Sequence, residues 1–280
     1  METILFLAGG AAIGIMSGFF GIGGGIILTP VLLILGYDPS QAVILSLMLT
    51  LGSTITGTIT HFRLKHIHVS LAARLGLFGM IGAVSTAPAV RLLEEVHSAS
   101  AVISLAYIGI LGWFSYQFLR RDKKGKKPKK GSVPLIGLLT GAVSSLMGVS
   151  GGFVMTPLLK NVREMELNKA IGTSIAAASV IVLSGIGSYF FSGAELDYTH
   201  GALLIIGAMI GTPAGSMQLK KFPEEHVKKM LGFLYLVVAG SVIFTFMSFP
   251  GVSLVLIGTA CMIFFTLLFF KSARRFLAAE

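Results

Sequence analysis

The sequence predicts an all-α polytopic membrane protein made of two inverted-topology repeats and one additional C-terminal transmembrane helix. Three observations support this prediction. First, 54% of the 280 residues are hydrophobic and only 12% are charged, whereas a soluble domain carries about 25% charged residues. Second, apolar stretches of roughly 18 to 25 residues, each long enough to cross a bilayer, recur along the chain. Third, a glycine-rich motif occurs twice, and the surrounding charges orient its two copies oppositely.

The apolar stretches, read in order between polar breaks, predict a series of helices. They cover residues 3–20, 26–36, 40–61, 69–90, 97–119, 132–148, 153–160, 168–191, 199–218, 226–248 and 252–270. Two of them, 26–36 and 153–160, are too short to span a bilayer at about 1.5 Å per residue, and each directly follows a glycine cluster. No lysine or arginine precedes the first apolar run, so it does not read as a secretory signal peptide, and we expect the first helix to be retained.

Basic residues indicate which helix ends face the cytoplasm, because cytoplasmic loops are rich in lysine and arginine. Of the 22 basic residues, 20 fall into five groups that we assign to the inside. The connections between these groups contain acidic residues and only one cation, Arg91. The amino terminus is therefore predicted outside and the carboxyl terminus in the cytoplasm. The five groups are Arg63 with Lys65, the eight cations from Arg120 to Lys130, Lys160 with Arg163 and Lys169, Lys220 with Lys221, Lys228 and Lys229, and Lys271 with Arg274 and Arg275.

The same assignment predicts that each glycine cluster is a turn inside the membrane. The loops at 120–130 and 160–169 are both assigned to the inside, so the chain between them must enter the membrane and return. Residues 3–36 must do the same from the outside. We therefore expect two membrane-embedded helical hairpins, each broken at its glycine-rich motif.

The two motifs are copies of one repeat. They align without a gap at a separation of 127 residues, with nine identities in 23 positions. Because the first copy starts outside and the second inside, the pattern predicts the inverted repeats of secondary transporters, which bind substrate near the membrane midplane. The predicted division is a first membrane repeat at 1–119, a basic cytoplasmic linker at 120–131, a second, inverted repeat at 132–248, and an additional C-terminal helix and tail at 249–280.

The glycine motifs also predict an anion site. Glycine lets a ligand approach the backbone, and the short helix after each turn presents free amide groups and the positive end of its dipole. Nearby hydroxyl groups add neutral donors. Glycines in membrane helices also serve close packing, but a backbone break at this depth must be enclosed by protein. The predicted substrate-binding residues are Ser17, Gly21, Gly23, Gly24, Gly25, Thr29, Ser144, Gly148, Ser150, Gly151, Gly152 and Thr156.

The acidic residues favour an anion over a cation as the substrate. All 12 carboxylates fall at predicted membrane edges or in loops, whereas intramembrane proton relays and cation sites usually contain one. His61, at the end of a predicted helix, is either an interfacial capping residue or a contact for substrate or a proton. Coupling to protons or sodium and the number of subunits are left open by the sequence.

Other chemistry has little support in the sequence. The single cysteine, Cys261, offers neither a disulfide nor a metal-ligand spacing, so we expect no metal and no cofactor. The net charge of +10 comes from cations at the ends of apolar segments, which favours membrane orientation over nucleic-acid binding. The expected partners are a small anionic substrate and the lipid bilayer.

At GFFGIGGGIILTP and SLMGVSGGFVMTP, the sequence resembles the TauE/SafE family of membrane proteins, often called sulfite exporters. The resemblance covers nearly the full chain. It implies transport of small sulfur-containing anions, such as sulfite or organosulfonates, across a bacterial or archaeal inner membrane, usually outward. Ser150 stands where the first copy has Gly23. The family motif maps onto Gly21, Gly23, Gly24, Gly25 and Pro30, and onto Gly148, Gly151, Gly152 and Pro157.

Two other functions fit parts of the pattern. A channel-like anion facilitator needs the same polar path as a carrier, and the sequence does not separate them. An intramembrane serine protease is suggested by Gly148-Val149-Ser150-Gly151, with His200 as a base 50 residues later. However, Ser150 is predicted near mid-membrane and His200 near the outer face, and the first repeat has no equivalent serine. We therefore expect a transporter and not an enzyme.

Overall fold

A computed structural model describes residues 2–120, 132–195, 197–219 and 222–277. The described residues form α-helices and no β-strand, which confirms the all-α prediction. The helices are α1 (Glu2–Phe20), α2 (Gly25–Ile34), α3 (Pro39–Arg63), α4 (Val69–Glu95), α5 (Ala99–Leu119), α6 (Val133–Met147), α7 (Gly152–Arg163), α8 (Leu167–Phe191), α9 (Tyr198–Leu219), α10 (Glu224–Phe246) and α11 (Pro250–Leu277).

Most of these helices have the length and composition of membrane spans. Within the described residues, eight are long and apolar enough to cross a bilayer, namely α1, α3, α4, α5, α8, α9, α10 and α11. Helices α2, α6 and α7 have 10, 15 and 12 residues and are shorter than a crossing requires. The chain is therefore a multi-pass membrane protein, and a short helix follows each glycine cluster as predicted.

Two helices extend furthest beyond the ends that the apolar pattern predicts. α4 continues past residue 90 to Glu95, and α11 continues past residue 270 to Leu277. At the end of α4, Arg91 and Glu94 form an ion pair three residues apart, with 3.6 Å between Nη1 and Oε2. Hydropathy marks the end of an apolar run, whereas backbone hydrogen bonding carries the helix on into charged residues. Of the predicted linker at 120–131, only Arg120 lies within the described residues.

The contacts divide the chain into two units. The first contains α1 to α4, the start of α5 as far as Ile103, and α6 to α9. The second contains the rest of α5 with α10 and α11; there α10 packs on α11, and the Ser115 hydroxyl donates to the carbonyl oxygen of Gly232 at 2.9 Å. Both glycine motifs belong to the first unit.

In the first unit, helices that are distant in sequence pack in pairs. α1 lies along α9, α4 lies along α6, and α3 packs on both α8 and α9. Glycines let the paired helices touch through their backbones. A methyl carbon at Gly211 would lie 2.0 Å from the carbonyl oxygen of Ala11, and one at Gly141 would lie 1.8 Å from that of Gly79. Each of these pairs therefore joins one helix from the segment at 1–119 to one helix from the segment at 132–248.

Two buried apolar clusters pack beside the glycine turns. One is formed by α2, α3 and α9, and the other by α4, α6, α7 and α8. The first contains Leu28, Leu32, Ala42, Leu45, Leu49, Leu204 and Ala208. The second contains Ala72, Leu75, Ala83, Val133, Ile136, Met155, Leu159, Ala170, Ala177, Ala178 and Ile181. These clusters hold the short helices α2 and α7 against the longer helices.

Candidate functional site

Each glycine cluster forms a buried turn between a longer and a shorter helix. α1 ends at Phe20, and the backbone then turns through Gly21 and Gly23, which have φ values of +69° and +68°. α6 ends at Met147, and Gly148 has φ +70°. Such positive φ angles favour glycine because a side chain would be strained there. All residues of the two turns, 21–25 and 148–152, are buried.

The two turns pack directly against each other, and we call residues 21–25 and 148–152 together the glycine crossing. A methyl carbon at Gly25 would lie 1.8 Å from the carbonyl oxygen of Gly148, and one at Gly152 would lie 2.9 Å from that of Gly21. The amino terminus of α2 therefore abuts the second turn, and that of α7 abuts the first. The crossing brings together residues more than 120 positions apart.

Hydroxyl groups tie the two turns together. The Ser150 hydroxyl donates to the carbonyl oxygen of Ile22 at 2.6 Å, and the Thr29 hydroxyl donates to that of Met147 at 2.9 Å. Both bonds are buried and connect the two sequence repeats. Ser150 thus makes an asymmetric bond at the position where the first repeat has Gly23.

The predicted site residues differ in whether they reach the opposite repeat. Seven of them contact or bond to the opposite turn, while Gly24 and Gly151, which also belong to the crossing, face side chains of their own repeat. The Ser17 carbonyl accepts the Gly21 amide at 2.8 Å, and the Ser144 hydroxyl donates to the carbonyl of Val149. Thr156 lies 2.8 Å from Ser174, hydroxyl to hydroxyl. The seven residues are Gly21, Gly23, Gly25, Thr29, Gly148, Ser150 and Gly152.

His61 lies near the end of α3, outside the crossing. Its Nδ1 atom is 3.4 Å from Nδ1 of His66. His61 is eleven residues beyond Thr50, which corresponds to about 16 Å along a helix. Its assignment as a contact for substrate or a proton stays a prediction, and the structure places it with His66 near the α3–α4 loop.

Two hydroxyl residues of α3 lie beside the crossing and were not among the predicted site residues. Ser46 and Thr50 are fully buried, and neither hydroxyl has a hydrogen-bond partner. A methyl carbon at Gly148 would lie 3.0 Å from Ser46 Cβ, and one at Gly23 would lie 3.0 Å from Thr50 Cγ2. A buried hydroxyl without a partner costs roughly 1–3 kcal/mol. Their spacing of four residues, which puts both on one face of a helix, was the available sequence signal.

The crossing is polar but contains no charged side chain. Among the described side chains, none of the buried residues is Asp, Glu, Lys or Arg; the buried polar ones are serines, threonines and His61. A helix amino terminus carries about half a positive charge, and two of them meet here. The carboxyl-terminal ends of α1 and α6 lie at the same turns and carry the opposite partial charge, so a small anion would be favoured only beside the amino termini of α2 and α7.

A separate cavity of about 540 Å³ opens at the end of α4, beside the starts of α3 and α5. Glu94 accepts the backbone amide of Ser40 there at 2.6 Å and so satisfies the first turn of α3. Glu94 also pairs with Arg91, so these two charged groups of the cavity have partners. Its lining includes Asp38, Ser40, Arg91, Glu94, His97 and Glu195. Within the part of the chain that the structure describes, no group of three or more His, Cys, Asp or Glu residues forms a metal site.

Ser150 and His200, the two residues of the protease alternative, have different partners. Ser150 donates to the carbonyl of Ile22, whereas the His200 ring contacts Asp197 and stacks on Phe6 with 3.9 Å between ring centroids. Burial raises the pKa of Asp197, but hydrogen bonds from His200 outweigh this effect, so its pKa lies below the usual value. The His200 imidazole therefore contacts Asp197 at the start of α9 and is not positioned as a base for Ser150.

The helical fold and the buried, charge-free crossing define a polytopic membrane transporter. The chain belongs to the TauE/SafE family, because the model described as "Sulfite exporter TauE/SafE" matches residues 6–242. This confirms the resemblance inferred from the glycine motifs, and with it the conclusion that the protein is a transporter and not an enzyme.

The chain is similar to several proteins named as probable membrane transporters. It is 28% identical over 242 residues to YjnA of Bacillus subtilis, covering 81% of this chain and 94% of that protein. It is 28% identical over 268 residues to a relative from Haemophilus influenzae, covering 84% and 96%. It is 24% identical over 246 residues to MJ0441 of Methanocaldococcus jannaschii, covering 81% and 90%. No solved structure gives a significant match.

Proposed function

We propose that this protein is a secondary transporter that exports small anions by alternating access around the glycine crossing. The observation that carries the proposal is the meeting of two helix amino termini, those of α2 and α7, in a buried region without charged side chains. Backbone amides and the helix dipole stabilise anions at helix amino termini.

The packing of the first unit supports inverted repeats, with the first at 1–119 and the second at 132–248. In the two repeats, α1 corresponds to α6 and α4 corresponds to α9. The packing of α1 on α9 therefore matches the packing of α6 on α4, and the corresponding helices α3 and α8 pack on each other. The two buried clusters also use corresponding positions, at separations of 127 or 128 residues: Leu28 with Met155, Leu32 with Leu159, and Ala42 with Ala170. Two related hairpins can rock against each other, as alternating access requires.

Sulfite and organosulfonates are the substrates that we propose. The family description names sulfite, and the relatives are named as probable membrane transporters in two bacteria and an archaeon. These substrates are small oxyanions, and hydroxyl and amide donors suit their oxygens. The proposed location is the bacterial or archaeal inner membrane, with the amino terminus outside and the carboxyl terminus in the cytoplasm, as the basic loops predict.

Flux through proteoliposomes tests the site. In Gly151→Leu, a side chain would meet Thr140 Cγ2, which lies 2.1 Å from the position of the new Cβ. We expect sulfite flux to fall at least about tenfold, since one misplaced group in a site typically costs 1–2 kcal/mol or more. Gly9→Leu is the control, because no atom lies within 4 Å of its Cβ position. Wild-type flux from a folded Gly151→Leu protein would contradict the proposed site.

A channel-like facilitator is separated from a carrier by counterflow. A carrier preloaded with unlabelled sulfite should accumulate labelled sulfite transiently, because one binding site serves both sides in turn. Currents at ion-channel rates, without counterflow, would overturn alternating access while leaving the anion path in place.

A further inference from the structure

We propose that an exposed face of α5, formed by Trp113, Tyr116 and Arg120, binds the headgroup of an anionic phospholipid. We call these three residues the aromatic-basic face. The site belongs to the second unit, and it stands or falls independently of the anion path through the glycine crossing.

The first step is the position of the three residues. Spacings of three and four residues place Trp113, Tyr116 and Arg120 along one stripe of the helix. The Arg120 amide donates to the carbonyl of Tyr116 at 3.0 Å, so Arg120 continues the helical backbone. Trp113 and Tyr116 are 63% and 60% exposed, and Arg120 is exposed as well. The three side chains are therefore available to a molecule outside the chain.

The second step is that the opposite face of α5 already has a partner. The Ser115 hydroxyl donates to the carbonyl of Gly232 in α10 at 2.9 Å, and a methyl carbon at Gly232 would lie 3.0 Å from Phe118 Cβ. The Phe118 ring also meets the Tyr235 ring edge to face, with 5.9 Å between centroids. Helix α10 therefore covers one side of α5 and leaves the aromatic-basic face open.

The third step is the chemistry of this face. The guanidinium carbon of Arg120 lies 5.7 Å from the centre of the Tyr116 ring, within the range of a cation–π contact. A guanidinium group presents several N–H donors in a fixed geometry that matches phosphate oxygens. Tryptophan and tyrosine are enriched where the hydrocarbon core meets the headgroups, because their rings are apolar and their N–H or O–H needs a polar partner. This combination fits a phospholipid, which joins a phosphate to acyl chains.

The fourth step is the depth of the two ends of the face. Trp113 lies seven residues before Arg120, which corresponds to about 10 Å along the helix axis. Half of the hydrocarbon core is about 15 Å thick. With Arg120 at the level of the phosphates, the Trp113 indole would therefore lie among the upper acyl carbons of the same lipid.

The charge at this end of α5 selects the kind of headgroup. The start of α10, residues 224–229, carries two lysines, two glutamates and one histidine, so the charges of its lysines and glutamates cancel. The linker sequence at 121–130 adds seven cations and one acidic residue, although the proposed site contains only the three residues of the aromatic-basic face. Positive charge beside a membrane helix attracts anionic lipids. An anionic headgroup should therefore be preferred over a zwitterionic one.

Fluorescence quenching tests the inference, because Trp113 is the only tryptophan among the 280 residues and reports on this face. The full-length protein is reconstituted in phosphatidylcholine bilayers that contain equal, small fractions of brominated phosphatidylglycerol or brominated phosphatidylcholine. Bromine atoms on the acyl chains quench an adjacent indole. We expect phosphatidylglycerol to bind beside Trp113 about fivefold more tightly, the effect of about 1 kcal/mol from one cation near the surface.

Matched variants separate the face from general charge. Arg120→Gln should make the two lipids quench about equally. Arg63→Gln removes the same charge from the end of α3, where Ile59 and Thr56 stand at the same spacings as the two aromatic residues, and should leave the preference unchanged. Tyr116→Phe keeps the ring and should behave as the wild type, whereas Tyr116→Leu should lower the preference about twofold. Size-exclusion profiles report folding of each variant.

Four results would overturn the inference. Equal quenching of the wild type by the two brominated lipids would refute an anionic site. An Arg120→Gln protein that keeps the preference, or an Arg63→Gln protein that loses it to the same extent, would refute the role of the aromatic-basic face. Absence of quenching by either lipid would mean that protein, such as a second copy of this chain, covers the face. Relief of phosphatidylglycerol quenching by added inorganic phosphate would assign the site to free phosphate.

Discussion

The contact between Gly25 and the Gly148 carbonyl oxygen leaves no room for a methyl group, which makes Gly25→Ala a direct test of the glycine crossing. The new Cβ would lie 1.8 Å from that oxygen, whereas real Cβ atoms stay beyond 3.0 Å. The turns would therefore have to separate by about 1.2 Å, the difference between these distances. Overpacking costs typically 1–3 kcal/mol, and we expect the upper end because the obstacle is backbone.

The assay is thermal unfolding of the purified protein, followed by the loss of monodisperse material on heating. A destabilisation of about 3 kcal/mol should lower the melting temperature by several degrees. Gly9→Ala is the control: its Cβ would meet no atom within 4 Å, and alanine favours the helix by up to about 1 kcal/mol. A Gly25→Ala protein that melts with the wild type, or above it, would refute the packing of the two turns.

Two further predictions concern groups outside the crossing. Tyr189 is fully buried, and its hydroxyl donates to the carbonyl of Ser145 at 2.7 Å. Tyr189→Phe should lower the free energy of unfolding by roughly 1–2 kcal/mol, measured by thermal unfolding. Tyr198→Phe, which alters an exposed ring, is the control and should leave it unchanged. The pKa of Asp197 lies below its usual 3.8, so its charged form adds stability above that pH, and this is lost as the pH falls through the native pKa. The stability difference between wild type and Asp197→Asn should therefore shrink below about pH 4, and a difference that grows in acid would contradict this. The effect should be small, because the carboxylate is 40% exposed.

The membrane fold could be read from local patterns because the bilayer imposes a constraint on every segment separately. A helix must be about 20 apolar residues long to cross, and cations must stay outside the hydrocarbon, so hydropathy and charge marked the helices with small errors at their ends. The glycine motifs likewise marked both turns, since the positive φ of Gly21 and Gly148 is a property of the backbone at those positions.

The tertiary structure decided which groups meet. The sequence does not say that α1 lies along α9, that the amino terminus of α2 abuts Gly148, or that Ser150 bonds to Ile22. Nor does it separate Ser46 and Thr50, whose hydroxyls lack partners, from Ser53 and Thr54, which bond to their own helix. These contacts join segments far apart along the chain, so they follow from how whole helices pack and not from the residues next to them.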